Sequence, residues 1–278
     1  MTDHADHDGR SGVGQPSLPP ERERRRTDRR RSVVRIAAVG DFHSAESSVG
    51  AFRAQFARVN EDADVLLLAG DLTNWGTPAE MRVAVAELAE VDIPIVAVLG
   101  NHDHEAGETE AACEILRERG VHVLDGDVFE LNEQIGIAGV KGYMGGFGRR
   151  ALTSFGEVLT KNFVASCLEE VQKLELALRR LSTPVRIALL HYAPVVDTVV
   201  GEPEQIYPFL GTDRLAEPLD RFEVAVAFHG HAHHGTFEGR TSGGVPVYNV
   251  SHDLIRREGR GEMYFVYEIP VAAEVEAG

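Results

Sequence analysis

Cysteine is scarce in this chain of 278 residues: Cys113 and Cys167 are the only two, and they form no C-x-x-C pair. No disulfide scaffold can be built from them. Both fall in segments of helical pattern, which fits buried thiols in a reducing compartment, though a single bridge between them stays open. Aromatic residues are also few, at 7% with a single tryptophan. Ala, Val, Leu and Gly must then do much of the packing, the palette of a parallel-type sheet covered by helices. No apolar run reaches the roughly 20 residues of a membrane span. The arginines at 24–26 and 29–31 are followed by no separate hydrophobic segment, so no signal peptide is read and the expected location is cytoplasmic.

An excess of positive charge is missing too. The net charge is −16. Residues 1–32 carry eight Arg against six Asp or Glu, and the remainder carries 20 basic against 38 acidic residues. Such a body repels polyanions, which argues against long nucleic acid as a routine ligand. Residues 1–32 hold almost no large apolar side chains and are expected to be an unstructured tail. Residues 33–278 then form one domain, with no internal repeat and no clear linker.

From residue 33 the pattern alternates. Short apolar runs predict buried strands at 33–39, 65–69, 94–99, 185–190 and 223–228. Lesser strands are expected at 121–124, 128–131, 135–140, 245–250 and 263–269. Helical periods fill 48–60 (Val49, Phe52, Phe56 and Val59 on one face), 77–91, 108–119, 162–181 and, briefly, 213–221. Thr77-Pro78-Ala79-Glu80 is a capping box with proline at the first helical position. In 162–181, Val164, Cys167, Leu168, Val171, Leu174, Leu178 and Leu181 recur at helical spacing. Strand and helix alternating in this way give a mixed α/β domain.

The chemistry lies at the carboxyl end of each strongly apolar strand. The first strand runs into Gly40-Asp41-Phe42-His43, the second into Gly70-Asp71, the third into Gly100-Asn101-His102-Asp103, the fourth into His191 and the fifth into His229-Gly230-His231-Ala232-His233. In α/β sheets, ligands bind at the carboxyl ends of strands. Singly, each residue reads as a turn residue or a satisfied core histidine. In register with five strand ends they form a set of carboxylates, imidazoles and one amide, without thiolate, which suits Mn, Fe, Zn or a related divalent ion. Seven ligands suit two ions sharing a bridging carboxylate. Ions about 3.5–4 Å apart are a standard device for in-line displacement at phosphorus.

The order D-x-H, G-D, G-N-H-D, H, G-H-x-H resembles the calcineurin-like metallophosphoesterase superfamily, over residues 41–233. The resemblance implies a four-layer α/β/β/α sandwich of two mixed sheets with a dinuclear centre at strand C-terminal ends. It implies that Asp41, His43, Asp71 and His233 hold one ion. Asp71, Asn101, His191 and His231 would hold the other, Mn being the favoured metal. It further implies attack by a metal-bridging hydroxide. His102 would serve as general acid oriented by Asp103, and Asn101 and His102 would contact the substrate.

Departures narrow the branch. Gly70-Asp71 continues into Leu72-Thr73-Asn74-Trp75, unlike the V-D-R-G-like text of the serine/threonine phosphatases. Asn74 stands where purple acid phosphatases have a metal-binding tyrosine, and His102 separates the chain from the lipid A branch. What remains resembles the small bacterial and archaeal phosphoesterases, similar to class III cyclic-nucleotide phosphodiesterases. The expected substrate is a small soluble phosphodiester, with a nucleotide as one candidate. The alternatives are a phosphomonoesterase or protein phosphatase, a nuclease, and a non-catalytic metal-binding scaffold. Outside the motifs, His229 reads as a support for a ligand or as strand-end packing. His234 and His252 read as surface or structural residues, and Trp75 as core or rim packing. The segments 139–150 and 195–210 read as solvated loops or substrate walls.

Overall fold

The computed structural model describes residues 32–271. Residues 1–31 lie outside it, and with them nearly all of the expected tail, while Ser32 already opens the first strand. Val33–Val271 is one compact unit.

In chain order the strands are β1 (Ser32–Val39), β2 (Val65–Ala69), β3 (Ile95–Val98), β4 (His122–Val123), β5 (Asp127–Glu130), β6 (Ile135–Gly139), β7 (Val185–Leu189), β8 (Val226–His229), β9 (Glu238–Arg240), β10 (Pro246–Asn249) and β11 (Phe265–Val271). The helices are α1 (Arg53–Ala57), α2 (Val59–Asp62), α3 (Pro78–Glu87), α4 (Thr109–Glu118), α5 (Val158–Arg180), α6 (Tyr207–Leu210), α7 (Ala216–Arg221) and α8 (His252–Arg257). One sheet has the order β11-β1-β2-β3-β4 and the other β5-β6-β7-β8-β10-β9. Strands β1 to β4 run parallel, as do β6, β7, β8 and β10. Strands β5 and β9 close the second sheet with antiparallel edges.

Alternation along the second sheet sorts its side chains between two cores. Ile137, Ile187, Leu189, Val226 and Phe228 join the first sheet's Leu66, Leu68 and Val96 in one continuous core. Their neighbours Ala138, Ala188, Leu190 and Ala227 turn the other way and pack with Leu174, Leu178, Leu215 and Leu219 of the helical side. Met81, Ala84, Ala112 and Leu116 from α3 and α4 join the first sheet's core. The period of two therefore generates the α/β/β/α sandwich: each sheet faces the other on one side and helices on the other. Within each sheet, parallel pairing aligns the carboxyl ends of the strongly apolar strands: β1, β2 and β3 in one, β7 and β8 in the other.

Some elements differ from the sequence reading. The helix expected over 48–60 is broken into a 3-10 turn (Glu46–Ser48), α1 and α2. Gly50 has φ 80°, and the buried Glu87 carboxylate accepts the Gly50 and Phe52 N–H groups at 2.5 and 2.8 Å. Those donors are taken from the helix, and Val49 is left exposed rather than packed. In α5 the apolar stripe holds except at Leu168, which is 48% exposed because it falls a residue off the buried face carrying Cys167 and Leu174. The short β9 and α8 have no counterpart in the sequence reading; Glu238–Arg240 and His252–Arg257 are too polar and too brief to show a period. Both cysteines are buried and free. No helix among the described residues is long and apolar enough to cross a membrane.

Candidate metal centre

The five strand-end turns converge. Asp41 and His43 follow β1, Asp71 follows β2, and Asn101 and His102 follow β3, all from the first sheet. His191 follows β7, while His231 and His233 follow β8 from the second sheet. All seven expected ligands are brought to this one place. The ligand atoms of Asp41, His43 and His233 lie within 4.8 Å of one another, as do those of Asp71, His191 and His231. Asp71 stands between the two groups: Oδ2 is 4.0 Å from His43 Nε2, and Oδ1 is 3.5 Å from His191 Nε2. A third combination, His43, Asp71 and His102, falls within the same limit and puts His102 at the border of the centre.

Backbone strain is concentrated here. Among the described residues, five other than glycine have positive φ, and four are candidate ligands: Asp41 (56°), His43 (44°), Asp71 (51°) and His231 (71°). Each such conformation costs on the order of 1–3 kcal/mol and persists only where surrounding structure enforces it. Close approach adds a second constraint. Gly70 has φ 85°, and a Cβ on Gly70 would lie 2.7 Å from the Gly100 nitrogen. A Cβ on Gly100 would collide with the backbone nitrogen of Asp71.

The donor set fits a pair of divalent ions. His191 Nδ1 donates to the Ala69 carbonyl at 2.9 Å, so the neutral ring turns a lone pair outward from Nε2. That lone pair faces Asn101 Oδ1 at 3.0 Å and Asp71 Oδ1 at 3.5 Å. Three ligand atoms converge here, and a cation among them would take the place of a proton held on Asp71. His43 Nε2 and His233 Nε2 likewise face each other at 3.4 Å, with Asp41 Oδ1 3.4 Å from His233 Nε2. His231 Nε2 donates to the Phe209 carbonyl at 3.2 Å, which leaves Nδ1 as its free lone pair.

Electrostatics agree with that reading. Burial, with the charges of Asp41 and Asp103, pushes Asp71 well above the usual carboxylate range. Burial and His231 drive His191 well below the usual imidazole range, keeping it neutral. Burial acts upward on Asp41, but the hydrogen bond and charge of His233, with His191 and His43, hold it well below its ordinary value. His233 is raised in turn by its contact with Asp41. Asp71 and His233 are thus the groups whose protons an ion would displace.

Asp103 does not take the role expected of it. It does not orient His102: its carboxylate accepts the Leu72, Thr73 and Gly100 N–H groups at 3.2, 2.9 and 2.9 Å and the Thr73 hydroxyl at 2.7 Å. Fully buried, it ties the second strand-end turn to the third. His102 is oriented instead by the Asn74 carbonyl, which accepts from Nδ1 at 2.8 Å. A carbonyl can only accept, so Nδ1 carries the proton and Nε2 points away as the exchangeable position. No side-chain signal marks Asn74 for this task, because the backbone performs it.

Other residues fall into place around the centre. Tyr192 packs its ring against those of His191 and His231, with centroids 5.4 and 4.5 Å away. His229 is buried, bonds the Gly230 carbonyl and the Thr198 hydroxyl, and stabilises the turn rather than facing an ion. Burial lowers its pKa to about 4. Trp75, expected in core or rim packing, is 58% exposed. His252 is buried against Phe52, whereas His234 is exposed.

Known proteins share these features. A curated relative, an uncharacterized metallophosphoesterase of Aquifex aeolicus, is 35% identical over 111 residues, covering 37% of this chain and 42% of its own. The DNA double-strand break repair protein Mre11 of Thermoplasma acidophilum is 33% identical over 100 residues, covering 31% of this chain and 27% of its own. The chain therefore spans less than half the length of these relatives. Among solved structures, the phosphopantetheinyl hydrolase PptH of Mycobacterium tuberculosis superposes with a TM-score of 0.59 at 15% identity, over 87% of this chain and 98% of its own. That likeness shows a common fold. The family model for calcineurin-like phosphoesterases matches residues 34–235, from the first strand through the last candidate ligand, and the chain belongs to that family.

Proposed function

We propose that this protein is a divalent-metal-dependent phosphoester hydrolase acting on a small soluble phosphodiester. The observation that carries the reading is the position of Asp71 between the His43 and His191 sides of one ligand cluster, with His102 at its border. Asp41, His43, Asp71 and His233 would hold one ion, and Asp71, Asn101, His191 and His231 the other. When bound, such a pair, of which Mn is the favoured metal, would supply Lewis-acid chemistry towards water and the phosphoryl group. His102 keeps Nδ1 on the Asn74 carbonyl, which supports the imidazolium and leaves Nε2 to give a proton to the departing oxygen. Asn101 and His102 border the phosphoryl position. The retained His102 and complete ligand set speak against a non-catalytic scaffold.

The test is hydrolysis of bis-p-nitrophenyl phosphate and p-nitrophenyl phosphate by chelator-stripped protein, with and without Mn²⁺. The expected result is activity restored by metal, higher on the diester, abolished by Asp71→Asn and strongly reduced by His102→Ala. Turnover by Asp71→Asn at the normal rate sinks the shared-ligand reading. Faster hydrolysis of the monoester moves the assignment to a phosphomonoesterase.

The similarity to Mre11, a DNA double-strand break repair protein, favours polymeric nucleic acid as a second substrate class. The net charge of −16 opposes it. Salt-sensitive cleavage of labelled single-stranded DNA at rates above those on the small diester would decide for the polymer.

A further inference from the structure

Two exposed aromatic side chains stand at the border of the metal centre. Trp75, the single tryptophan of the chain, is 58% exposed, and Phe209 is 54% exposed. Neither ring packs on another ring or under a cation among the described residues. Exposed apolar residues scattered singly are ordinary. These two differ, because the centre itself holds the main chain from which each ring projects.

On the first-sheet side, the Asn74 carbonyl accepts from His102 Nδ1 at 2.8 Å, and the Asn74 N–H donates to the Ser44 carbonyl at 3.1 Å. The Trp75 N–H donates to the buried Glu80 carboxylate at 2.7 Å. Gly76, at φ 70°, packs so closely on the third strand-end turn that a Cβ would lie 2.7 Å from the carbonyl oxygens of His102 and Asp103. On the second-sheet side, the Phe209 carbonyl accepts from His231 Nε2 at 3.2 Å. The carbonyls before and after it, those of Pro208 and Leu210, accept the Gly145 and Ala193 N–H groups at 2.9 and 3.0 Å. Ile206, 37% exposed, precedes Phe209 by three residues on the same helical turn and extends its apolar surface. Each aromatic residue is thus fixed within one residue of a main-chain contact to an imidazole of the centre, one from each sheet, with more than half its surface uncovered.

We infer that Trp75 and Phe209 bind the organic part of the substrate by stacking, so that the preferred phosphoester carries a planar aromatic ring next to its phosphoryl group. The inference rests on the phosphoesterase reading above and adds the substrate class. A phosphoryl group held at the ligand cluster leaves its ester substituents at the border, where these residues stand. Stacking selects for a planar ring and not for one pattern of hydrogen bonds, because every such ring offers a π-face. The pinned main chains keep the cost of ordering the two side chains low.

The test measures binding without turnover, on the full-length Mn²⁺-loaded protein. Calorimetry compares 4-nitrobenzylphosphonate, whose C–P bond resists hydrolysis, with methylphosphonate, which has the same anionic head and no ring. The wild type is expected to bind the ring-bearing probe about tenfold or more tighter, the yield of stacking one ring. Trp75→Ala and Phe209→Ala should each remove much of that preference and Trp75→Phe should keep most of it, with thermal melting confirming that each variant folds. The fluorescence lifetime of the single tryptophan reads contact directly: the nitrophenyl ring should shorten it and methylphosphonate should not. Equal affinity for the two probes overturns the inference, as does a preference that survives both alanine substitutions. An unchanged lifetime with the ring-bearing probe bound overturns it as well. Metal-dependent binding of both probes with equal affinity breaks only the stacking subsite, whereas a ring preference that persists after chelation, with methylphosphonate unbound, breaks the phosphoesterase reading alone.

Discussion

Asp103→Asn separates a structural role from a chemical one. The Asp103 carboxylate meets four donors: Leu72 and Gly100 N–H on Oδ2, and the Thr73 N–H and hydroxyl on Oδ1. An asparagine must turn its NH₂ towards one of these pairs. Facing Oδ2's partners, it would oppose two fixed backbone N–H groups. Facing Oδ1's partners, it would oppose one backbone N–H, while the Thr73 hydroxyl can rotate to accept. The second arrangement is less costly, and it still leaves one buried donor without a partner and weakens the rest by removing the charge. Burial itself pushes the Asp103 carboxyl up, so losing the charge returns part of the cost. The net loss is about 3 kcal/mol. In a domain of this size that lowers the melting temperature by roughly 6–12 °C. Thermal unfolding of chelator-stripped protein measures it free of metal stabilisation. A variant that melts within about 2 °C of wild type, below the shift of a single kcal/mol, yet fails to turn over substrate would refute the strut. It would return Asp103 to the chemical step through His102.

The same geometry sets three further outcomes. Gly100→Ala drives a methyl group into the Asp71 backbone, so Mn²⁺ affinity by calorimetry should fall about 10- to 100-fold, as for other disturbed ligand supports; unchanged affinity would show that the turn has room to move. Metal affinity should rise with pH, because Asp71 and His233 are both shifted up and must release protons to bind. Titrations at pH 6 and pH 8 with equal affinity would contradict those shifts. Glu87→Gln leaves one of the Gly50 and Phe52 N–H groups facing an amide NH₂, which should lower stability by about 1–2 kcal/mol with turnover retained; loss of turnover would place that loop in the site.

The clustering of the candidate ligands was legible because each residue lies just beyond an apolar run that reads as a buried strand. Parallel sheets align such ends, so sequence position put Asp41, Asp71 and Asn101 at one edge of the first sheet and His191 and His231 at one edge of the second. The orientation of His102 was not legible. G-N-H-D places Asp103 next to His102 in sequence, but successive side chains at a turn diverge, and the carboxylate runs back to Thr73 while the ring meets a main-chain carbonyl. Backbone partners such as those of Asn74 and Phe209 leave no trace in residue type. The helix expected at 48–60 is broken for a similar reason: the competitor, Glu87, lies 37 residues from Gly50.

Each candidate ion position draws residues from both sheets: Asp41 and His43 with His233, and Asp71 with His191 and His231. The residues that meet are up to 190 positions apart, as His43 and His233 are. A centre built on contacts of such long sequence separation assembles late in folding. A chain with only one sheet formed presents an incomplete set of ligands at either position. Under the proposed metal assignment, tight metal uptake would report that the two sheets have docked, and bound ions would cross-link the halves of the sandwich and slow their separation.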